Sequence, residues 1–207
     1  MRCSPSKNTE ERIREAARQV FLEKGYDGTT SRDIADAAGI NIALTNYYFR
    51  SKEKLFISIF DELIQLFFEG MFRILNKPIG LREKIAELVE HDFQLMKNNP
   101  SLSIFVMNEI HRNPERMANA VEARKQFQQS VFDEQLRREA ALGHIRPIEA
   151  MHLTVMIVAN IQFLFVSKAM HIRIWHMSED AFEAFANRHK DIVIDMITSY
   201  LFAFESV

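Results

Sequence analysis

The sequence predicts an all-α protein of about nine helices, and three observations carry that prediction. The 207 residues include only 6 Gly and 5 Pro, with 47% hydrophobic and 26% charged residues. That composition favours helices over strands and supplies enough apolar side chain for a core. Apolar residues recur at helical spacing along most of the chain, and capping residues and prolines divide that pattern into segments. No convincing strand pattern, internal repeat or long linker interrupts it.

The first helix is expected over TEERIREAARQVFLEK, residues 9–24, where Ile13, Ala16, Ala17, Val20 and Phe21 share one face. Thr9 suits the N-cap and Gly25 the stop. A short second helix follows, with Thr30 and Asp33 at capping-box spacing and Ile34, Ala35 and Ala38 as its inner edge. Gly39 breaks it. Asn41 caps a third short helix that runs to about Tyr48. Ser51 caps a fourth, whose stripe is Leu55, Ile59, Leu63, Phe67 and Met71. Lys77-Pro78 ends it, because proline disfavours helix at the preceding residue. Asn99-Pro100, Asn113-Pro114 and Pro147 each open a later helix. An apolar helix is expected around 148–172, and Ser178 starts a last one that runs to about Phe204.

Several function classes lose support. The single cysteine, Cys3, excludes an internal disulfide and a thiolate zinc site, and suits a cytoplasmic protein. No apolar run follows Met1, so no signal peptide is expected. The most apolar stretch, residues 153–166, is 14 residues long and holds Thr154, Asn160 and Gln162, too short and polar for a membrane span. The seven histidines show no ligand spacing, and no catalytic or nucleotide-binding signature appears. No catalytic residue, metal or cofactor is therefore expected. Net charge is −2, so any case for nucleic acid rests on a local site; residues 1–55 carry 10 Lys/Arg against 8 Asp/Glu.

Such a site is visible in NIALTNYYFRSKEKLF, residues 41–56, which mixes aromatics with hydroxyl, amide and cationic groups. Two short helices joined by a glycine turn, with alanines at 35, 37 and 38 for close crossing, form a helix-turn-helix signature. A helix presented to the DNA major groove needs polar groups for phosphates and base edges, and apolar atoms for thymine methyls.

The landmarks AARQVFLEKGYDGTT, IADAAGI, YYF and SKEKLF stand in the order and spacing of one family. Residues 9–56 resemble the DNA-binding domain of the TetR family of bacterial transcription regulators. The resemblance implies a DNA-binding domain over residues 1–51 and a helical ligand-binding and dimerisation domain over residues 52–207. It implies a phosphate contact at Thr30, with Ser31, Arg32 and Asn41 in the same DNA-facing set. Tyr47, Tyr48 and Lys52 fall at positions that contact the DNA backbone. Ile42, Ala43, Leu44 and Asn46 fall at positions facing base edges, and Thr45 and Phe49 at core positions. The chain departs from the family's pattern by having Leu44 before Thr45 and Asn46 in place of a common tyrosine. Periodicity alone would make Ile40, Leu44 and Tyr48 an inner stripe. The family register turns Leu44 outward, and the flanking landmarks favour that register.

Fifteen of the 17 phenylalanines lie after residue 55. Most suit helix–helix cores. The resemblance also implies a pocket within helices four to eight for a small, mainly apolar effector. The lining expected is Phe67, Met71, Phe93, Met96, Phe105, Phe127 and Phe163, with His111 as a hydrogen-bonding group. The last two helices resemble those that pair across a two-fold axis, implying a homodimer that reads a palindromic operator on double-stranded DNA. The expected function is a repressor released by its effector. The alternative is a helical sequestering protein whose N-terminal module has lost DNA binding.

Overall fold

The structure is a computed structural model that describes residues 7–125 and 131–202. The described residues form eleven helices: α1 Lys7–Lys24, α2 Ser31–Ala38, α3 Ile42–Tyr48, α4 Lys52–Leu75, α5 Leu81–Asn98, α6 Leu102–Arg112, α7 Pro114–Lys125, α8 Val131–Ala141, α9 Ala150–Val166, α10 Lys168–Ile174 and α11 Glu179–Phe202. The all-α class is as expected, and the count exceeds nine. The residues between α7 and α8, 126–130, lie outside the described residues. A 56° bend at Ser167 separates α9 from α10, where one helix was expected. Ser167 Oγ donates to the carbonyls of Phe163 (2.7 Å) and Leu164 (3.3 Å), a local bonding mode that bends helices. No single described helix is long and apolar enough to cross a membrane.

The chain divides into two compact units. Residues 1–66 and 104–117 form the first, and 67–103 with 118–207 the second. The expected functional division at 51/52 remains a proposal about which residues meet DNA; the packing groups most of α4 and α6 with the N-terminal helices.

In the first unit the predicted face of α1 is fully used, with Ile13, Ala17 and Phe21 at 0% exposure. Phe21 meets Phe56 edge-on at 5.1 Å, and Phe56 also packs against Tyr26 and Phe105. Burying each such ring contributes about 1.5–3 kcal/mol. Glu109 of α6 is buried, and Arg112 and Arg116 each bond it at 2.8 Å. A buried carboxylate needs such partners, since breaking the set would leave a charge unpaired.

In the second unit α5, α9 and α11 pack together. Leu153, Ile157, Ile161 and Leu164 face inward from α9, and Val193, Ile197 and Leu201 from α11. Phe93 and Phe165 join α5 to α9 at 5.5 Å. Two buried polar ties cross this apolar packing. Gln162 Nε2 donates to Asp92 Oδ1 at 3.1 Å. Lys84 Nζ donates to the Leu75 carbonyl and to Gln135 Oε1, both at 2.8 Å. Burial lowers the Lys84 pKa, so its ammonium depends on these two acceptors.

Burial also pushes the Asp92 carboxyl up from 3.8 to about 6, against the smaller opposite effect of the Gln162 bond. Between those two values the folded chain holds a proton that the unfolded chain has released. Stability therefore falls as pH rises through that window, and the whole penalty is present above it. Asp92→Asn keeps the Gln162 bond and removes the charge. We predict that it raises unfolding stability by about 1–3 kcal/mol at about pH 8, with the gain vanishing near pH 4. Denaturant unfolding at the two pH values checks this; a gain independent of pH would refute the burial argument.

Candidate nucleic-acid interface and ligand cavity

The helix-turn-helix is assembled from local signals that all agree. Thr30 is the N-cap of α2. Its Oγ1 accepts from Asp33 N at 3.1 Å, and its own N–H donates to Asp33 Oδ2 at 2.7 Å, completing a capping box. Lys24 bonds Asp33 at 2.7 Å, and with Thr30 it holds that carboxyl below the ordinary aspartate range. Gly39 ends α2 in the left-handed conformation, φ 63°, which glycine adopts without a Cβ penalty. Arg12 of α1 donates to the Ala38 carbonyl at 2.9 Å, tying the end of α2 down. Asn41 Oδ1 then accepts from Ala43 N at 2.7 Å and starts α3.

The face of α3 follows the register that turns Leu44 outward. Thr45 is 3% exposed, whereas Ile42 is 41%, Leu44 37% and Tyr47 67% exposed. Asn41, Ala43 and Asn46 are exposed beside them. The inner stripe that periodicity suggested for Leu44 is absent. Neither Ile42 nor Leu44 is among the buried core residues of this unit.

The backbone-contacting residues divide. Arg32 is exposed and Ser31 partly exposed. Thr30 is exposed, but its hydroxyl donates to Asp33 at 2.6 Å within the capping box. The hydroxyl of Tyr48 is covered and has no hydrogen-bond partner among the described residues, and the residue is only partly exposed, whereas Tyr47 is 67% exposed. Lys52 is the largest surprise. Its ammonium donates to the carbonyls of Tyr26 and Thr29, both at 2.8 Å, and lies 4.1 Å from the Tyr26 ring centroid. Arg112 covers the same ring at 4.2 Å. Lys52 thus holds the loop that leads into α2. Sequence reading missed this because the acceptors are backbone carbonyls more than twenty residues away.

The second unit contains a cavity of about 660 Å³, walled by α4, α5, α8 and α9. That lies within the size range of small-molecule sites, about 300–1,000 Å³. Of the expected lining residues that are described, only Met71 borders it. Phe93 and Met96 are core residues, at 1% and 2% exposure. Phe105 belongs to the aromatic cluster of the first unit, and His111 is exposed there. Phe163 points outward at 62% exposure. Phe127 and the side chain of Phe67 lie outside the described residues. The walls are instead built by residues such as Phe68, Leu88, Leu136 and Ile157. Its polar margin includes His91, Asp92, Asp133, Arg137, Glu149 and Thr154. The His91 ring occupies the space a side chain at Gly70 would fill, which explains a glycine in mid-helix. That glycine was a readable signal of a close approach, though not of what approaches. Among the described residues no group of His, Cys, Asp and Glu is arranged to hold a metal ion.

Lys52→Met retains the stem and removes the donors. We predict a loss of about 1–3 kcal/mol in stability without any DNA present. Thermal or denaturant unfolding of the free protein checks this. Unchanged stability would return Lys52 to a surface role.

Residues 13–59 match the family model described as bacterial regulatory proteins, tetR family. The probable HTH-type transcriptional regulator YttP of Bacillus subtilis (strain 168) is 30% identical over 109 residues, 50% of this chain and 51% of that protein. The chain thus spans about half the length of YttP. The HTH-type transcriptional repressor AcnR of Corynebacterium efficiens is 29% identical over 153 residues, 70% of this chain and 75% of that protein. In fold, the chain resembles the crystal structure of a bacterial regulatory protein in the tetR family from Rhodococcus RHA1. That likeness has a TM-score of 0.64 at 22% identity, over 93% of this chain and 98% of the other. Both relatives are transcriptional regulators, and residues 13–59, with the capped helix-turn-helix and the outward-facing α3, match the tetR family of bacterial regulatory proteins.

Proposed function

We propose that the chain is a homodimeric repressor that binds a palindromic operator in the cytoplasm and is released by a small, mainly apolar effector. The observation that carries the DNA reading is the exposed face of α3, where Ile42, Leu44 and Asn46 stand outward while Thr45 packs inward. An asparagine pairs best with adenine, and apolar side chains suit the thymine methyl. The core of each half-site is therefore rich in A·T pairs.

Two stripes on the last long helices support a dimer. Val155, Ala159 and Phe163 line the solvent side of α9 at intervals of four. On α11, Phe185, Ile192, Met196 and Tyr200 are each at least 37% exposed. Two copies of such a helix pair bury their apolar faces as a four-helix bundle, and a two-fold axis sets two reading heads on an inverted repeat. The cavity supports the effector. A ligand that favours a conformation with the wrong head spacing weakens DNA binding by its differential affinity for the two states.

Selection of bound sequences from a random duplex pool, at a stated salt concentration, tests the reading. It should enrich an inverted repeat with A·T-rich half-site cores. A core dominated by G·C pairs would remove the proposed base readout, and no enrichment by folded dimer would favour the sequestering alternative. On the selected operator, Asn46→Ala should relax preference at one base position at a cost of about 1–3 kcal/mol. An equal loss on every sequence would assign Asn46 to the backbone.

A further inference from the structure

Asp92 stands in the wall of the cavity and is 3% exposed. Gln162 occupies Oδ1, while Oδ2 is covered and has no hydrogen-bond partner among the described residues. No described cation forms an ion pair with it. A buried carboxylate in this state needs a donor, and a charged donor best offsets its desolvation. The charged groups around the cavity point the same way: the carboxylates of Asp92, Asp133 and Glu149 face one guanidinium, that of Arg137. Arg137 is exposed, its Nε donates to the Asp133 carbonyl of its own helix, and it forms no ion pair with Asp92. The cavity walls include apolar residues such as Leu88, Leu136 and Ile157. Such walls exclude a compact hydrated cation and accept a hydrocarbon or aromatic body.

We propose that the cavity takes an apolar amine, whose protonated nitrogen pairs with the Asp92 carboxylate while its hydrocarbon body fills the space between α4, α5, α8 and α9. This rests on reading the cavity as the effector site, and it adds the head group. An alcohol would supply the donor without the charge. A carboxylate of the same body would meet Asp92 with neither a donor nor an opposite charge.

The test uses the full-length protein and two bodies, decyl and 6-phenylhexyl, each carried as amine, alcohol and carboxylate, with affinity read by calorimetry near neutral pH. For at least one body the amine should bind about tenfold or more tightly than its alcohol and carboxylate. Asp92→Asn should abolish that preference and leave the alcohol's affinity within about threefold. Asp133→Asn and Glu149→Gln should keep most of it. The proposal fails if alcohol or carboxylate binds as well as amine, and the effector reading then survives. It also fails if the amine preference persists in Asp92→Asn or disappears only in the rim variants. If no head group binds on either body, the effector reading of this cavity fails with it. The comparison on the unsubstituted protein decides the head group even if a variant does not fold.

Discussion

The ammonium of Lys52 lies against the carbonyls of Tyr26 and Thr29 and over the Tyr26 ring, while Arg112 covers the same ring. The path of the α1–α2 loop depends on that seat. Thr29 is nearly inaccessible and donates back to the Gly25 carbonyl at 2.6 Å, so the loop is closed from both sides. Thr30 follows at once as the cap of α2, and the position of α2 sets the turn at Gly39 and hence the direction of α3. A helix of seven residues has no intrinsic stability. It is ordered here because its neighbours leave it one place to go.

The same logic explains the polar groups inside the second unit. Apolar packing of α5, α9 and α11 supplies most of the stabilisation, but it tolerates small slips of one helix along another. The Gln162–Asp92 and Lys84–Gln135 contacts do not, because each donor meets its acceptor in only one register. Asp92 is less well satisfied than Lys84, which has two acceptors. The cavity borders the carboxylate that is worse off, so a ligand there has an interaction to gain that the folded chain leaves unfilled.

Helix positions were legible because their signals are local. The face of α1, the Thr30–Asp33 box, the Gly39 stop and the Asn41 cap each require residues within four positions of one another. The outward direction of Leu44 was not legible from periodicity, since α3 is too short to show a period. It came from the spacing of flanking landmarks. The cavity has a different lining from the one expected, and for a different reason. Residue type distinguishes Phe and Met from polar residues, but it does not distinguish Phe93 in a core from Phe163 on a surface. The break at Ser167 was missed because a serine in an apolar helix bends it only when its hydroxyl takes the carbonyls of the preceding turn.

The sequence by itself determined that the chain is helical, where most helices begin and end, and that its N-terminal part carries a helix-turn-helix of one family. Those properties rest on short-range hydrogen bonding and side-chain periodicity. Only the tertiary structure decided that Lys52 serves the loop, that Tyr48 hides its hydroxyl, and that Asp92 borders the cavity whereas His111 lies in the other unit. Each of those outcomes depends on atoms brought together from distant parts of the chain, and burial, which sets the energy of a charge, exists only once they have met.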